Sequence, residues 1–223
     1  MARIITPEAI LSYPNLFTPR AANPGDDEKY SVSLVFPAGT DLSALESAAA
    51  TMLKEKFGKK ADALLLKVIA RRKGKTEEEI LIAGGIRWPF RQDWESKGYP
   101  EGSTFLNVRS TRPPQVVSVI PDENGNPSRV TDESRVYPGV IARASIDPFT
   151  YDVSGNKGVT FGLGNVQIIR DGDRLDGNAH ASAEFDADPG AIADLSDLDG
   201  VDQVEAEVEA DEPEDVLSDL VGG

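Results

Sequence analysis

One segment, from Ile86 to Tyr99, interleaves aromatic and basic side chains more densely than any other part of the chain. It contains both tryptophans, two other aromatic residues and three basic residues within 14 positions. Because Pro89 and Gly98 disfavour a helix or a central strand, the segment is predicted to be a long loop. Aromatic faces stack on unpaired bases and guanidinium groups contact phosphates, so this composition favours single-stranded nucleic acid as a ligand. The candidate binding residues here are Arg87, Trp88, Phe90, Arg91, Trp94 and Tyr99.

The alternative interpretation of the same segment is structural. Trp88 and Trp94 would then be core residues that anchor a long loop to the rest of the fold. For any single aromatic residue both interpretations stay open, whereas the segment as a whole favours binding.

A second candidate for phosphate binding is a group of four bases within five residues. The group is followed at once by three glutamates, so a mixed-charge hinge at the end of a helix would look the same. Both interpretations of this group stay open. Its members are Arg71, Arg72, Lys73 and Lys75.

A third candidate is one face of a predicted strand. Phe105, Asn107 and Arg109 alternate with apolar residues and therefore share a face, and Arg112 follows shortly after. A face with one aromatic residue and regularly spaced bases fits a nucleic-acid groove better than it fits solvent. Residues that would extend this face are Arg129, Arg135, Tyr137 and Arg143.

Signals of catalysis or metal binding are weak. The only histidine, His180, has no partner with which to form a triad or a paired-histidine metal site, and the chain has no cysteine. The run Gly162–Gly164 is too short for a dinucleotide fingerprint, and Gly74–Thr76 lacks the earlier glycine of a phosphate loop, which is Ile69 here. Clustered acids in surface turns, such as Asp26–Glu28, are more often solvating than metal-binding. We therefore predict no catalytic residue, no metal and no cofactor.

The charge of the chain is divided sharply at Arg174. The last 49 residues contain sixteen acids and no base, whereas the first 174 carry all 23 bases and the remaining 22 of the 38 acids. The net charge of −15 is therefore the sum of a body of about +1 and a tail of −16. The tail has too few aromatic and apolar residues to fold, and it ends in the apolar stretch Val216–Val221. We predict a domain over residues 1–174 and a disordered acidic tail over 175–223.

The body is predicted to be mainly β with interposed helices. Residues 1–28 are rich in proline and are expected to form an irregular lead-in. Helices are predicted from Asp41 to Gly58 and over Asp62–Arg72. Period-2 patterns predict short strands near residues 29–36, 105–109, 116–120, 140–146 and 159–169. Such strands in about 145 residues suggest an OB-fold-like small antiparallel barrel, with a β-sandwich as the alternative.

Several segments, taken together, resemble a bacteriophage family of single-stranded-DNA-binding proteins, similar in design to the replication-associated binding protein of the short-tailed coliphages. Their order and spacing over roughly residues 4–175 carry the resemblance. The segments are Lys29–Phe36, Pro89–Gln92 leading to Tyr99, Tyr137–Val140, Pro148–Tyr151 and Asn156–Gly172.

The resemblance implies an OB-fold that coats single-stranded DNA without sequence preference, in phage replication or recombination, inside the cytoplasm of the infected bacterial host. It also implies that the acidic tail contacts replication proteins such as a polymerase or a helicase. The tail is expected to compete with DNA for the basic groove. A homodimer stays open as a further arrangement, and no membrane partner is expected, since no apolar run is long enough to span a bilayer.

Two other classes of function stay open at this point. One is a metal-dependent nuclease that uses clustered aspartates and glutamates, and it would degrade the DNA that it binds when Mg²⁺ is present. The other is a non-enzymatic virion or scaffolding protein whose tail mimics DNA, and it would have no affinity for oligonucleotides.

Overall fold

The computed structural model describes residues 3–59, 61, 86–153 and 156–175. The strands are β1 (Ile4–Ile5), β2 (Ala9–Arg20), β3 (Lys29–Phe36), β4 (Ile86–Arg87), β5 (Thr104–Ser110), β6 (Val116–Pro121), β7 (Pro127–Arg129), β8 (Ile141–Val153) and β9 (Asn156–Arg170). Helix α1 spans Ser43–Phe57, and 3₁₀ turns lie at Glu95–Lys97 and Glu133–Arg135. The predicted second helix and all of the predicted tail except Leu175 lie outside the described residues.

Five of these strands close into a ring. β2 pairs with β3, β3 with β5, β5 with β9 and β9 with β8, and β8 returns to pair with β2. β1 continues the sheet beside β8, and β6 and β7 continue it beyond β9. A small closed arrangement of strands with an interposed helix is the OB-fold-like class that the sequence predicts, and that prediction is confirmed.

The pairing of β9 differs from a wholly antiparallel sheet. Three successive segments of the chain, β4, β5 and β6, run alongside β9 in the same direction, whereas β8 is antiparallel to it. With 15 residues, β9 is long enough to pair with each of them at a different level. Alternation of apolar residues is the same in parallel and antiparallel strands, so the sequence pattern does not reveal this pairing.

The interior of the ring is filled by alternate residues of its strands and by one face of α1. Leu34 and Leu106 are register partners, and both are fully buried. Leu45, Ala49 and Leu53 are the buried residues of α1, as the predicted apolar face requires, and the helix packs against β8 and β9. The N-cap residue of α1 is Leu42, and the carboxylate of the preceding Asp41 accepts a hydrogen bond from the Ser43 amide (2.9 Å).

The expectation of an irregular lead-in over residues 1–28 is wrong. β2 is a 12-residue strand that contains both Pro14 and Pro19. Its pairing with β3 shifts register between Ser12 and Asn15 and again between Asn15 and Arg20. Each proline therefore lies in an irregular stretch where no ladder hydrogen bond is required of it. Only residues 21–28 are an exposed loop.

Candidate nucleic-acid interface

Two adjoining depressions lie on the outer face of the ring. The first, here called the loop groove, has a volume of about 640 Å³ and is lined by β2, β3, β5 and loop 21–28. The second, the hairpin groove, has a volume of about 750 Å³ and is lined by β4, residues 88–91, the link from β5 to β6, and the β8–β9 hairpin. Lys29, Asn107 and Arg109 line both, so the two depressions are contiguous.

The alternation of β5 positions the residues shared by the two grooves. Leu106 and Val108 are buried in the ring, which turns Asn107 and Arg109 outward, as the sequence predicts. The Ser33 hydroxyl donates a hydrogen bond to Asn107 Oδ1 (2.6 Å) and orients that amide. Arg109 is exposed, and no ion pair joins it to another described residue.

Most of the charged residues that line the two grooves are basic. Basic residues outnumber acidic ones in each, although the body as a whole is almost neutral. A cleft lined by charges of one sign focuses its field on ligands of the opposite sign. The basic lining residues are Arg20, Lys29, Arg87, Arg91, Lys97, Arg109 and Arg112; the acidic ones are Asp26, Asp27 and Asp147.

Three aromatic residues predicted to contact DNA are instead packed in the interior. Phe90, Tyr99 and Phe105 are 4%, 7% and 1% exposed. Phe90 packs edge-on against Phe161 (ring centroids 5.9 Å apart), and Tyr99 packs edge-on against Phe105 (5.2 Å). A base cannot stack on a ring whose faces are already covered, so these three predictions are corrected, and the structural interpretation holds for them.

The two tryptophans differ from each other in position. Trp88 is half-buried, contacts the Phe90 ring (5.4 Å) and lines the hairpin groove. Trp94 is also half-buried, but it packs against the small cluster of Val35, Tyr99 and Phe105 and lines neither groove. Trp88 therefore stays a candidate for base stacking, whereas Trp94 holds the loop down.

Arg91 lies in the loop between β4 and β5, where it lines the hairpin groove and also covers the Phe105 ring. Its guanidinium forms hydrogen bonds to the Asp93 carboxylate (3.0 and 2.5 Å) and lies 5.0 Å above the Phe105 ring. Burial acts to raise the pKa of Asp93, but the hydrogen bond from Arg91, a backbone hydrogen bond, and the charges of Arg91 and Lys97 outweigh burial and leave the pKa below its ordinary value. Arg91 lines the hairpin groove and also stabilises the loop.

Three exposed or half-exposed aromatic residues in the grooves were missed by the sequence prediction. Tyr13 is 66% exposed in the loop groove, and Phe149 is 44% exposed in the hairpin groove beside half-buried Tyr151. Burial raises the pKa of Tyr151, and the neighbouring charge of Arg87 partly opposes that rise. The alternation of β8, whose residues Ala144 and Ile146 point inward, would have placed Phe149 and Tyr151 outside the core.

Tyr13 has an unusual backbone. It lies at the first register shift of β2 with a φ of 47°, and among the described non-glycine residues only Tyr13 has a positive φ. Left-handed backbone is unfavourable for a residue with a side chain, and such residues concentrate at functional sites. The bulge turns an aromatic ring out over the loop groove, and no sequence pattern indicates it.

The other predicted residues divide in a simple way. Arg87, Arg109 and Arg112 line the grooves, whereas Arg71, Arg72, Lys73 and Lys75 lie outside the described residues. Arg129, Arg135 and Arg143 line neither groove. Tyr137 is buried, and its hydroxyl accepts a hydrogen bond from the Gly172 amide (3.1 Å) and shares its proton between Gly172 O (3.1 Å) and Asp171 Oδ1 (3.2 Å), so its role is structural.

Two kinds of feature are absent from the described residues. No group of three or more His, Cys, Asp or Glu side chains within them is arranged to hold a metal ion. Their helices do not include one with the length and apolar character needed to cross a membrane.

The sequence matches the family of the Enterobacter phage Enc34 ssDNA-binding protein over residues 2–210. The chain belongs to this family. The resemblance read from the sequence is therefore confirmed. A protein designated p50, from Acyrthosiphon pisum secondary endosymbiont phage 1, is 29% identical over 178 residues, which is 78% of this chain and 86% of that protein.

The fold of the family is also seen in solved structures. The bacteriophage Enc34 single-stranded DNA-binding protein with a C-terminal truncation superimposes with a TM-score of 0.52 at 18% identity, covering 78% of this chain and 88% of that one. The same protein solved in complex with ssDNA gives a TM-score of 0.50 at 18% identity, covering 78% and 89%. These likenesses support the assignment of the strand ring to the same fold.

Proposed function

We propose that the protein binds single-stranded DNA along the loop and hairpin grooves and coats and protects it during phage replication or recombination. The observation that carries the proposal is the joining of the two grooves at Lys29, Asn107 and Arg109, with basic residues along both and exposed aromatic rings beside them. Membership of the family and the solved complex of the Enc34 protein with ssDNA support it.

The chemistry of the grooves suits a ligand of this kind. Basic side chains displace counterions from the phosphates, which gives affinity without regard to sequence. Tyr13, Trp88 and Phe149 offer ring faces to unstacked bases, and every base can stack. Duplex DNA hides those faces, so it should bind more weakly than a single strand of equal length.

The test is a fluorescence titration of the protein with oligo-dT at two salt concentrations. The logarithm of the affinity should fall with the logarithm of the salt concentration, with a slope of about −0.7 for each phosphate neutralised. Arg109→Gln should weaken binding and make the slope less steep by about that amount. Arg129→Gln, which removes a positive charge outside both grooves, is the matched control. A salt-independent affinity, or equal losses in the two variants, would contradict the proposal.

We propose further that the acidic residues beyond Leu175 compete with DNA and that the apolar stretch Val216–Val221 recruits a replication protein such as a polymerase or helicase. The charge of the two parts of the chain supports this, and so does the position of Leu175, the first residue of the predicted tail. The Leu175 amide donates to Pro138 O (2.9 Å), and its side chain packs against the cluster of Val35, Tyr99 and Phe105. Lys97, in the loop between β4 and β5, lines the loop groove.

Truncation after Leu175 tests the role of the tail. A tethered polyanion has a high effective concentration near a basic groove, so its removal should tighten DNA binding. The gain should be largest in dilute buffer, because salt at about 0.1 M screens charges over about 10 Å. Partner recruitment should be lost. A truncated protein that binds DNA less tightly than the full chain would show that these residues belong to the fold.

The proposed role requires no catalytic step and places the protein inside the infected bacterial host cell. Incubation of the protein with single-stranded DNA and Mg²⁺ should leave the DNA intact. Degradation that depends on Mg²⁺ and is lost in a variant with weakened binding would favour the nuclease alternative.

A further inference from the structure

A row of three residues crosses the hairpin groove from β5 to β8. Arg109 on β5 is the register partner of Gly162 on β9, and Gly162 is the register partner of Asp147 on β8. All three line the groove. Because neighbouring strands lie about 4.8 Å apart, a basic and an acidic side chain flank a glycine across about two strand spacings.

The glycine leaves room for the Asp147 carboxyl group beside the floor of the groove. The atoms nearest to a Cβ atom on Gly162 would be those of the Asp147 carboxyl group, at 3.2–3.5 Å. A second row on the same strand differs: Gly158 pairs with Arg87 and Tyr151, and a Cβ there would lie 2.7 Å from the Arg87 carbonyl oxygen and 2.8 Å from the Tyr151 hydroxyl. The row at Gly162 therefore presents a carboxylate to the groove, whereas the row at Gly158 is closed by backbone and by a tyrosine side chain.

The negative charge of Asp147 would be unfavourable in a groove that binds only phosphates. It is the one acid among the described residues that line the hairpin groove, and no other described residue forms a hydrogen bond or ion pair with its carboxylate. A carboxylate only accepts hydrogen bonds, so it repels a phosphate and attracts N–H groups. The phosphates are thus expected on the side of Arg109 and Arg112, and the bases on the side of Asp147 and Phe149.

The bases differ in the N–H groups that they present to a carboxylate. Guanine offers two adjacent donors, N1–H and the N2 amino group, which match the two oxygens of a carboxylate. Adenine and cytosine offer one amino group beside a ring acceptor, and thymine offers one N–H between two carbonyl groups. Bases of a single strand expose this edge to protein side chains. We infer that Asp147 selects guanine at the row of Gly162, so that one position of an otherwise sequence-tolerant groove reads the base.

This inference rests on the proposed DNA binding, and the test separates the two. The full-length protein is titrated with oligo-dT, with d(TTG) repeats of the same length, and with d(TTI) repeats, in which inosine lacks the N2 amino group. The wild type should bind d(TTG) about fivefold more tightly than oligo-dT, the lower range for a bidentate contact to a base. The d(TTI) repeats should lose most of that preference.

Two variants test whether the preference for guanine arises from the row of Arg109, Gly162 and Asp147. Thermal unfolding of each variant checks that the variant folds. Asp147→Ala and Gly162→Ala should bind the three oligonucleotides with equal affinity, because the first removes the acceptor and the second crowds the carboxyl group out of its position. Asp147→Ala should bind oligo-dT at least as tightly as the wild type does. Glu133→Gln removes an exposed negative charge outside both grooves and should keep the preference.

The outcomes that would overturn the inference are specific. If the wild type binds oligo-dT and d(TTG) equally, or if Asp147→Ala keeps the preference, Asp147 does not read the base. If Asp147→Ala and Glu133→Gln strengthen binding to all three oligonucleotides alike, Asp147 acts only through its charge. Failure of the wild type to bind any oligonucleotide would instead overturn the proposed function itself.

Discussion

The loop between β4 and β5 and the paired strands around it use their aromatic residues in opposite ways. The loop carries the densest aromatic run of the chain, yet its Phe90 and Tyr99 are buried and Trp94 packs on the cluster beneath. The strands β2 and β8 carry few aromatic residues, yet Tyr13 and Phe149 are exposed in the grooves. Of the four aromatic residues of this run only Trp88 lines a groove, so aromatic density in an irregular segment indicates mainly the packing that the segment needs.

The difference has a physical cause. A long loop lacks the ladder of hydrogen bonds that holds a strand, so it is fixed by inserting large side chains into the body and by contacts such as that of Arg91 with Asp93. A strand of the ring is already fixed by its neighbours. Its outward residues are therefore free to meet a ligand, because the inward ones provide the packing.

The sharpest test of this comparison is Phe90→Ala. Truncation of a buried phenylalanine removes its packing and leaves a cavity, so the free energy of unfolding should fall by about 3–5 kcal/mol. Urea denaturation measures the loss. A variant that keeps wild-type stability but binds oligo-dT poorly would mean that the loop presents this ring to DNA, and the comparison would fail.

Phe149→Ala should show the reverse pattern. The residue is 44% exposed and belongs to neither core cluster, so the unfolding free energy should change by no more than about 0.5 kcal/mol. Loss of a stacking platform should cost about 1–3 kcal/mol of affinity for oligo-dT. Val153→Ala, on the same strand, exposed and outside both grooves, is the control and should change neither quantity. Equal affinity of Phe149→Ala and wild type would remove this ring from the binding surface.

Two substitutions at Tyr13 separate its ring from its backbone. Tyr13→Ala and Tyr13→Gly both remove the ring and should weaken DNA binding alike. Glycine adopts a φ of 47° without the steric cost that a Cβ atom brings, so Tyr13→Gly should be more stable than Tyr13→Ala by about 1 kcal/mol. Thermal unfolding and titration of the two variants give both quantities. If the alanine variant is the more stable one, the bulge relaxes when the ring is removed.

The sequence allowed much of the fold to be predicted, because four of the five strands that form the ring show regular alternation. β3, β5 and helix α1 were predicted near their observed positions, and so was the outward face of Asn107 and Arg109. β2 was missed, because its prolines indicate a loop in the sequence. The register shifts that accommodate these prolines in a strand are visible only in the structure.

The candidate site was predicted less completely, and for a different reason. Phe105 lies on the predicted outer face, but the loop folds over it, and coverage of that kind depends on contacts far apart in the chain. Arg109 and Asp147 flank Gly162 from the two neighbouring strands. These three residues come from three strands, of which β5 and β9 form a parallel pair. No local pattern contains that information, so residues of this kind become evident only once the pairing is known.

The smallest expected effect concerns the contact that holds the loop, between Arg91 and Asp93. Because the pKa of Asp93 in the folded protein lies below its ordinary value of 3.8, its ionised form stabilises the fold above that pH. The stabilisation should be lost as the pH falls through the lower pKa of the folded state. Asp93→Asn should therefore cost about 0.5 kcal/mol at pH 6, as is usual for an exposed ion pair, and the difference from wild type should shrink below about pH 4. Urea denaturation between pH 6 and pH 3 measures it. A difference that stays constant across this range would mean that the Asp93 side chain supports the loop through its shape, with no contribution from its charge.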